Sequence, residues 1–211
     1  IVDGDVWLVG GGDPLLTTSG YAARFDDPGS YTDLGDLVRG LLGVGVREIT
    51  GGIVGDESRY DAIRYLGTWP DRFKPGWSIQ SGPLSALSVD DGFEKWDPVN
   101  TAPSLSVPAA DPAANAASLL DDLLEVEGVV IRRRPDSGRS PAHPGMVTLV
   151  EVASPPVSLL VRQMLVDSDN TTAELLVKEL GRTPAERGTT VADLDVMLDT
   201  LERAGHGVDQ V

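Results

Sequence analysis

The sequence predicts an α+β fold, and three observations lead to that prediction. Short strand-like segments and amphipathic helices share the first two thirds of the chain, whereas the last third is helical throughout. Gly and Pro are frequent, at 24 and 15 of 211 residues, which favours many turns and short strands. Aromatic residues make up only 5%, so the core is expected to consist mainly of Leu, Val, Ile and Ala.

A strand–helix–strand unit is predicted at the start of the chain. Residues Asp5 to Val9 form an apolar strand that leads into the sharp loop Gly10 to Pro14. A helix is expected to begin at Thr32 and to close at Gly45, which can adopt the left-handed conformation. The buried face of this helix is predicted to carry Leu34, Leu37, Val38, Leu41 and Leu42. The second strand is expected over Arg47 to Val54.

The middle of the chain has a weaker pattern. A short strand is predicted from Leu84 to Val89. Asp111 and Pro112 are typical of a helix cap and a first helical turn. The helix that follows is expected to bury the stripe from Leu119 to Leu124.

Two further strands surround a candidate domain boundary. They are predicted over Val129 to Arg133 and over Met146 to Val152. The Gly- and Pro-containing segment from Asp136 to Pro144 is expected to be a polar loop between them. The basic run from Arg132 to Arg134 is interpreted as a solvated strand end, with a phosphate-binding patch as the alternative.

Three helices are predicted in the last third. The first opens at Pro156, and the second begins with the capping box from Thr171 to Glu174 and ends at Gly181. The third spans Thr190 to Ala204 and is stopped by Gly205. The apolar face of the first of these helices is predicted to carry Val157, Leu160, Val161, Met164 and Leu165.

Composition excludes several classes of function. The formal net charge of −16 repels nucleic acid and anionic lipid surfaces, so no nucleic-acid partner is expected. The absence of Cys excludes disulfides, zinc–thiolate sites and thiol catalysis. His143 and His206 have no partner at metal-ligand spacing, so no metal site is expected. No run of residues reaches transmembrane length, and there is no signal peptide. Because Ile1 is not an initiator Met and a strand follows at once, we expect the chain to begin inside a larger product.

The sharpest local feature is the polar segment Asp167-Ser168-Asp169-Asn170 between two predicted helices. Ser168 lies eleven residues after Val157, which places it near the apolar face and predicts that it points inward. Ser-x-Asn is one of three elements that build the serine acyl-transferase site of the penicillin-interacting enzymes. The tripeptide alone is a weak signal, and a plain helix cap is the alternative interpretation.

Several blocks of the sequence, which together span most of the chain, resemble the blocks of a known family in the same order. They are Gly4 to Leu16, Gly52 to Asp56 with Ser58 to Asp61, Gly82 to Gly92, and Ser154 to Gly181. In this order they resemble the D-alanyl-D-alanine carboxypeptidase/endopeptidase family, the class C low-molecular-mass penicillin-binding proteins.

The resemblance implies part of a penicillin-binding, serine β-lactamase-like transpeptidase domain with an inserted α/β region. Residues 1–144 would be the inserted region, and residues 145–211 would be the part of the penicillin-binding domain that carries Ser-x-Asn. Ser168 and Asn170 would be the catalytic residues of this part: Ser168 would relay a proton to the leaving amine, and Asn170 would bind the peptide carbonyl of the substrate.

The same resemblance implies partners and a location. The complete protein would hydrolyse D-Ala-D-Ala bonds of peptidoglycan stem peptides through an acyl-serine, in the cell envelope outside the cytoplasmic membrane. β-Lactam antibiotics would acylate it as substrate mimics, and no metal or organic cofactor is implied.

The sequence departs from the family pattern at two motifs. None of Lys74, Lys95 and Lys178 has a Ser three residues before it, so the Ser-x-x-Lys that carries the nucleophile is absent. Lys-Thr-Gly is absent too. Both are expected outside this chain, so the isolated chain should be inactive. The alternatives are a non-catalytic wall-binding or scaffold protein with a degenerate site, and an unrelated binding module in which Ser168 to Asn170 only caps a helix.

Overall fold

The computed structural model describes residues 1–25, 27–75, 81–97, 106–141, 143–185 and 188–206. The strands in these ranges are β1 Val6–Val9, β2 Leu16–Thr17, β3 Thr32–Asp33, β4 Glu48–Ile49, β5 Ile53–Asp56, β6 Phe93–Lys95, β7 Val107–Pro108, β8 Val130–Ile131 and β9 Asp136–Ser137. The helices are α1 Ser19–Ala22, α2 Gly35–Gly43, α3 Pro112–Val126, α4 Val157–Asp167, α5 Asn170–Ala185 and α6 Thr190–Arg203. Short 3₁₀ turns add Pro28–Ser30, Asp71–Phe73 and Asp90–Gly92.

A parallel three-stranded sheet in the order β1-β5-β9 organises the first two thirds of the chain. Val6 lies opposite Ile53, and Val54 lies opposite Asp136. Parallel neighbours need crossover connections, and these contain α2 between β1 and β5 and α3 between β5 and β9. All four residues of β5 are buried, as expected for the central strand of a covered parallel sheet. The remaining strands form the pairs β2–β3, β4–β8 and β6–β7.

The main core lies where α2 and α3 meet this sheet. The buried residues are almost all aliphatic, as the low aromatic content predicts: Leu8, Leu34, Val38, Leu41, Val46, Ile49, Ile53, Leu87, Val89, Ala113, Ala116, Ala117, Leu120, Leu124 and Val129. Helix α3 approaches β5 so closely that a Cβ at Gly55 would stand 2.2 Å from the Ala113 carbonyl oxygen. Only glycine fits at that position of β5.

The helix ends in this region confirm the predicted caps. The Asp111 carboxylate accepts the Ala114 N–H at 2.9 Å, and Pro112 is the first residue of α3. Gly45 has φ +85°, and Val46 N–H donates to the Leu41 carbonyl, which closes α2 in the predicted left-handed turn.

Strand pairing changes two of the predicted boundaries. Helix α2 begins at Gly35 rather than Thr32, because Thr32 and Asp33 form β3 and pair with β2. The strand predicted over Arg47 to Val54 is divided into β4 and β5, because β4 pairs with β8 whereas β5 lies between β1 and β9. Local apolar pattern contains no information about which partner each half of the segment meets.

Two predicted strands do not form. Leu84 to Val89 is fully buried but irregular, and the Ser85 hydroxyl bonds both the N–H and the carbonyl of Leu87. Residues 146–152 are irregular and pair with no strand among the described residues, although Leu149 and Val150 pack against the main core. In both segments the apolar pattern reflects burial rather than pairing in a sheet. The loop predicted to begin at Asp136 instead begins as the edge strand β9.

The basic run at the end of β8 meets acidic side chains. Arg132 lies 2.8 Å from Glu48, and Arg133 forms an ion pair with Asp5. These carboxylates offset two of the three positive charges. The pairing favours the interpretation of a solvated strand end over a phosphate-binding patch.

Candidate active site

Helices α4 and α5 meet at the Ser-x-Asn element. Helix α4 ends at Asp167 and α5 begins at Asn170, so Ser168 and Asp169 alone connect them. Ser168 adopts the left-handed conformation at φ +55° and ψ +43°, and its side chain is exposed. The prediction that Ser168 points inward is wrong, because the left-handed turn takes it off the 3.6-residue period of α4.

Asp169 is the residue that caps α5. Its carboxylate accepts the Thr172 N–H at 3.0 Å and the Thr172 hydroxyl at 2.6 Å. The capping box predicted from Thr171 is therefore wrong, since Thr171 already lies inside the helix and its hydroxyl oxygen accepts the Gly82 N–H at 3.3 Å. The predicted end at Gly181 is also wrong, because α5 continues to Ala185.

Capping by Asp169 leaves Ser168 and Asn170 available for other chemistry. Within the described part of the chain, neither the Ser168 hydroxyl nor the Asn170 amide group has a hydrogen-bond partner. Ser168 is exposed and Asn170 is half-buried in the first turn of α5. The helix-cap interpretation thus applies to the middle residue of the tripeptide and not to its two outer residues.

The inner face of α4 differs from the predicted apolar face. Val157 and Leu165 are 65% and 71% exposed, whereas the buried residues are Leu160 and Gln163. The Gln163 amide nitrogen lies 3.3 Å from Asp167 Oδ2 and 3.2 Å from Asp169 Oδ2. A buried glutamine five residues before Ser168 has no signal in a hydrophobic pattern, so sequence reasoning missed it.

The 3₁₀ turn Asp90–Gly92 faces the α4–α5 junction. In the described ranges, the non-glycine residues with positive φ are Asp90, Asp91 and Ser168, each at +55°. The Asp90 carboxylate accepts the Thr18 N–H at 2.6 Å and the Trp96 indole N–H at 3.2 Å, which fixes the turn. Such backbone conformations cost free energy and cluster at functional sites.

Asp91 is an unusual acid within this turn. Burial of its carboxyl group raises its pKa to about 8, and the negative charges of Asp169 and Asp90 act in the same direction. The Tyr21 hydroxyl donates a hydrogen bond to Asp91 and opposes the shift. Asp91 is therefore largely protonated at neutral pH, next to the junction that carries Ser168.

The raised pKa of Asp91 predicts a loss of stability as pH increases. Between about pH 4 and pH 8 the folded protein keeps a proton that the unfolded chain releases, so the free energy of unfolding falls across this range. Asp91→Asn should reduce the fall by at least ~1 kcal/mol, the equivalent of less than one pKa unit. Urea denaturation at several pH values measures it, and asparagine tolerates positive φ.

A control for this experiment is Glu94→Gln, which removes an exposed carboxylate from β6. Glu94→Gln should leave the difference in unfolding free energy between the two pH limits unchanged. An Asp91→Asn variant with the pH dependence of the unmodified protein would contradict a protonated Asp91.

Residues within 57–75 and 81–86 form the packing surface, or seat, of α5. Lys178 is only 1% exposed and lies 2.6 Å from Asp61 Oδ1. The next residue, Glu179, accepts hydrogen bonds from Arg59 Nε and the Tyr60 hydroxyl, each at 2.9 Å. A small apolar cluster completes the contact: Tyr60, Leu84, Ala86 and Leu175, with Trp69 packed against it. The seat fixes the helix whose first residue is Asn170.

A large open cleft of about 1220 Å³ lies beside this seat. It runs from β1 along residues 145–154 to the α4 residue Leu160 and the α5 residue Leu176. Neither Ser168 nor Asn170 is among its described lining residues. A second cavity, of about 80 Å³, is bordered by Tyr31, Gln163 and Asp167, directly before Ser168. In the described ranges, no helix has the length and apolar character needed to cross a membrane.

Comparison with solved structures defines the class of fold. Penicillin binding protein 4 (dacB) from Haemophilus influenzae superimposes with a TM-score of 0.73 at 18% identity, over 99% of this chain and 55% of that one. The same protein complexed with a novel β-lactam gives a TM-score of 0.59 at 16% identity, over 94% and 52% of the two chains. The chain has an α+β penicillin-binding-protein fold, which confirms the predicted fold class.

Comparison of sequences identifies the family. The model of the D-Ala-D-Ala carboxypeptidase 3 (S13) family matches residues 98–211, more than half of the chain and including Ser168 to Asn170. The chain belongs to this family, and the predicted resemblance is confirmed.

Two curated relatives support the same assignment. Carboxypeptidase DacB of Mycolicibacterium smegmatis is 30% identical over 203 residues, which cover 90% of this chain and 39% of the relative. A D-alanyl-D-alanine carboxypeptidase of an Actinomadura species is 24% identical over 266 residues, covering 97% and 47%. The chain thus spans less than half the length of either relative.

Proposed function

We propose that the polypeptide containing this chain is a serine D-Ala-D-Ala carboxypeptidase or endopeptidase acting on peptidoglycan stem peptides. The observation that carries the proposal is the S13 family match over 98–211, combined with the helix junction at Ser168. There Asp169 alone provides the cap, which leaves the hydroxyl and the amide group on either side of it available.

Two side chains of this chain have roles in the proposed reaction. A serine elsewhere in the polypeptide attacks the D-alanyl carbonyl and forms the acyl-serine. The Ser168 hydroxyl, which both donates and accepts, passes a proton to the departing amine. The Asn170 amide group donates a hydrogen bond to the peptide carbonyl of the substrate and holds it for attack.

The proposal extends to the parts of the polypeptide and to its place in the cell. Residues 1–144 are the inserted region, and residues 145–211 belong to the penicillin-binding domain. The contacts that α5 makes with Arg59, Asp61 and the apolar cluster around Tyr60 support direct packing between these two parts. Peptidoglycan substrates place the protein in the cell envelope, outside the cytoplasmic membrane, and β-lactams act on it as substrate mimics.

The test is covalent labelling of the polypeptide that contains this chain. A labelled penicillin is added, and intact mass spectrometry followed by peptide mapping locates any adduct. We expect one stable adduct on a serine other than Ser168, because Ser168 has the proton-relay role. A folded polypeptide that forms no adduct would overturn the proposal and favour a non-catalytic wall-binding protein.

A further inference from the structure

Gln163 occupies an unusual position on the inner face of α4. It is 7% exposed, and with Leu160 it makes up the buried surface of this helix. Its amide nitrogen lies 3.1 Å from the Tyr31 hydroxyl oxygen in addition to its two carboxylate contacts. The amide nitrogen has two N–H groups to share among these three acceptors, and Oε1 of Gln163 is buried without a hydrogen-bond partner in the described part of the chain. A glutamine that is incompletely satisfied at a buried position requires an explanation.

The two carboxylates bound by Gln163 lie on either side of Ser168 in the sequence. Asp167 is the last residue of α4, and Asp169 is the cap of α5. Both reach the same amide nitrogen, at 3.3 Å and 3.2 Å, so the two negative charges converge across the turn that contains Ser168. Like charges at such separations repel each other, and the N–H groups of the glutamine offset this repulsion.

We propose that Gln163 is a positioning residue, whose amide group joins Asp167 to Asp169 and thereby holds Ser168 in its left-handed turn. This inference rests on the proposed function and adds to the site a residue that the Ser-x-Asn pattern does not contain. Asp169 N–H donates to the Met164 carbonyl at 3.0 Å, so the backbone and the glutamine restrain the same turn. Without the amide group, the cap of α5 and the direction of the Ser168 hydroxyl would both change.

The charges around Gln163 determine what a carboxylate would do in its place. Besides Asp167 and Asp169, Asp91 from the 3₁₀ turn acts on Tyr31, the tyrosine that contacts Gln163. Arg162 and Asp27 lie 3.9 Å apart at the border of the same small cavity. Burial and the surplus of negative charge would raise the pKa of a glutamate at position 163. Such a glutamate regains a donor only when protonated, at low pH.

The decisive variant is Gln163→Glu in the polypeptide that contains this chain, with two measurements made across pH. Near pH 7.5 the rate constant for acylation by labelled penicillin should fall by about tenfold or more, the usual scale for one lost positioning contact. Hydrogen–deuterium exchange of the peptide that includes Asp169 and Thr172 should become about tenfold faster. Near pH 5 both quantities should return towards those of the unmodified protein, because protonation gives the glutamate a donor. Protonation also relieves the general destabilisation caused by a buried carboxylate, so the control variant below is needed to separate the two effects.

Two more variants separate positioning from folding. Gln163→Met keeps the size of the side chain without its donors and should give similar losses at every pH. It also replaces Gln163→Glu if that variant does not fold. Asn115→Asp is the matched control, because it changes a half-buried amide into a carboxylate on α3, away from the junction. It should lower the unfolding free energy and leave acylation and the exchange of the junction peptide unchanged.

The outcomes separate this inference from the proposed function. If Gln163→Glu acylates and exchanges like the unmodified protein at all pH values, Gln163 does not position the turn. Equal losses in Asn115→Asp would also overturn the inference, since they would come from general destabilisation. If the unmodified protein is not acylated at all, the proposed enzyme is wrong, and the exchange measurement alone decides the role of Gln163.

Discussion

Ser168→Ala in the polypeptide that contains this chain is expected to slow turnover of a D-Ala-D-Ala peptide by ~10²–10⁴-fold, the usual contribution of one proton-relay group. The free energy of unfolding should hardly change, because the Ser168 side chain is exposed and the cap of α5 belongs to Asp169. Steady-state kinetics on a stem-peptide analogue, together with urea denaturation of the same samples, provide both values.

Ser168→Gly is the matched control for that prediction, since Ser168 has φ +55°. Glycine removes the hydroxyl as alanine does, but it adopts the left-handed conformation without cost, so the glycine variant should be the more stable of the two. Equal losses of turnover in both variants would assign the effect to the hydroxyl group. If turnover is retained in Ser168→Gly and lost in Ser168→Ala, the backbone turn matters and the proton-relay role of Ser168 is wrong.

Lys178→Met should cause a large loss of stability. The Lys178 ammonium group is buried against Asp61, and removal of one partner from a buried ion pair typically costs ~3–5 kcal/mol. The Asp61 carboxylate would lose its cation while most of it stays shielded from water, and α5 would lose its central polar contact. Urea or thermal denaturation measures the change in the free energy of unfolding.

Two controls accompany Lys178→Met. Lys95→Met removes an exposed ammonium group from β6 and should change stability by less than about 0.5 kcal/mol. The double variant Lys178→Met with Asp61→Leu removes both charges and should recover much of the loss, because apolar replacements of a whole buried pair are often tolerated. A single variant as stable as Lys95→Met would show that the ion pair contributes nothing to the seat of α5.

Local patterns were sufficient where a feature depends on neighbouring residues. The cap at Asp111, the left-handed closure at Gly45 and the stop of α6 at Gly205 were predicted correctly, because each involves contacts within about one helical turn. The Ser-x-Asn tripeptide was found in the same way, as a short motif between two helical patterns. The proposed roles of Ser168 and Asn170 came from the family resemblance and stay predictions.

These local patterns could not predict contacts between residues that are far apart in the sequence. The separation along the chain is 117 residues for Lys178 and Asp61, 70 for Asp91 and Tyr21, and 132 for Gln163 and Tyr31. A lysine and a glutamine on amphipathic helices predict solvent-facing positions, and only the packed fold shows that both side chains are buried. The strands predicted over Leu84 to Val89 and Met146 to Val152 were wrong for a related reason, since burial alone produces the same apolar pattern as a sheet.

The sequence by itself determined the α+β class, the family, the helices of the last third and the location of the Ser-x-Asn element. Periodicity, caps and motifs express the energetics of residues that are close along the chain. Only the tertiary structure decided that Gln163 is buried against Tyr31 and that Lys178 is buried against Asp61. These features depend on which distant groups share a desolvated space, and that is decided when the chain packs.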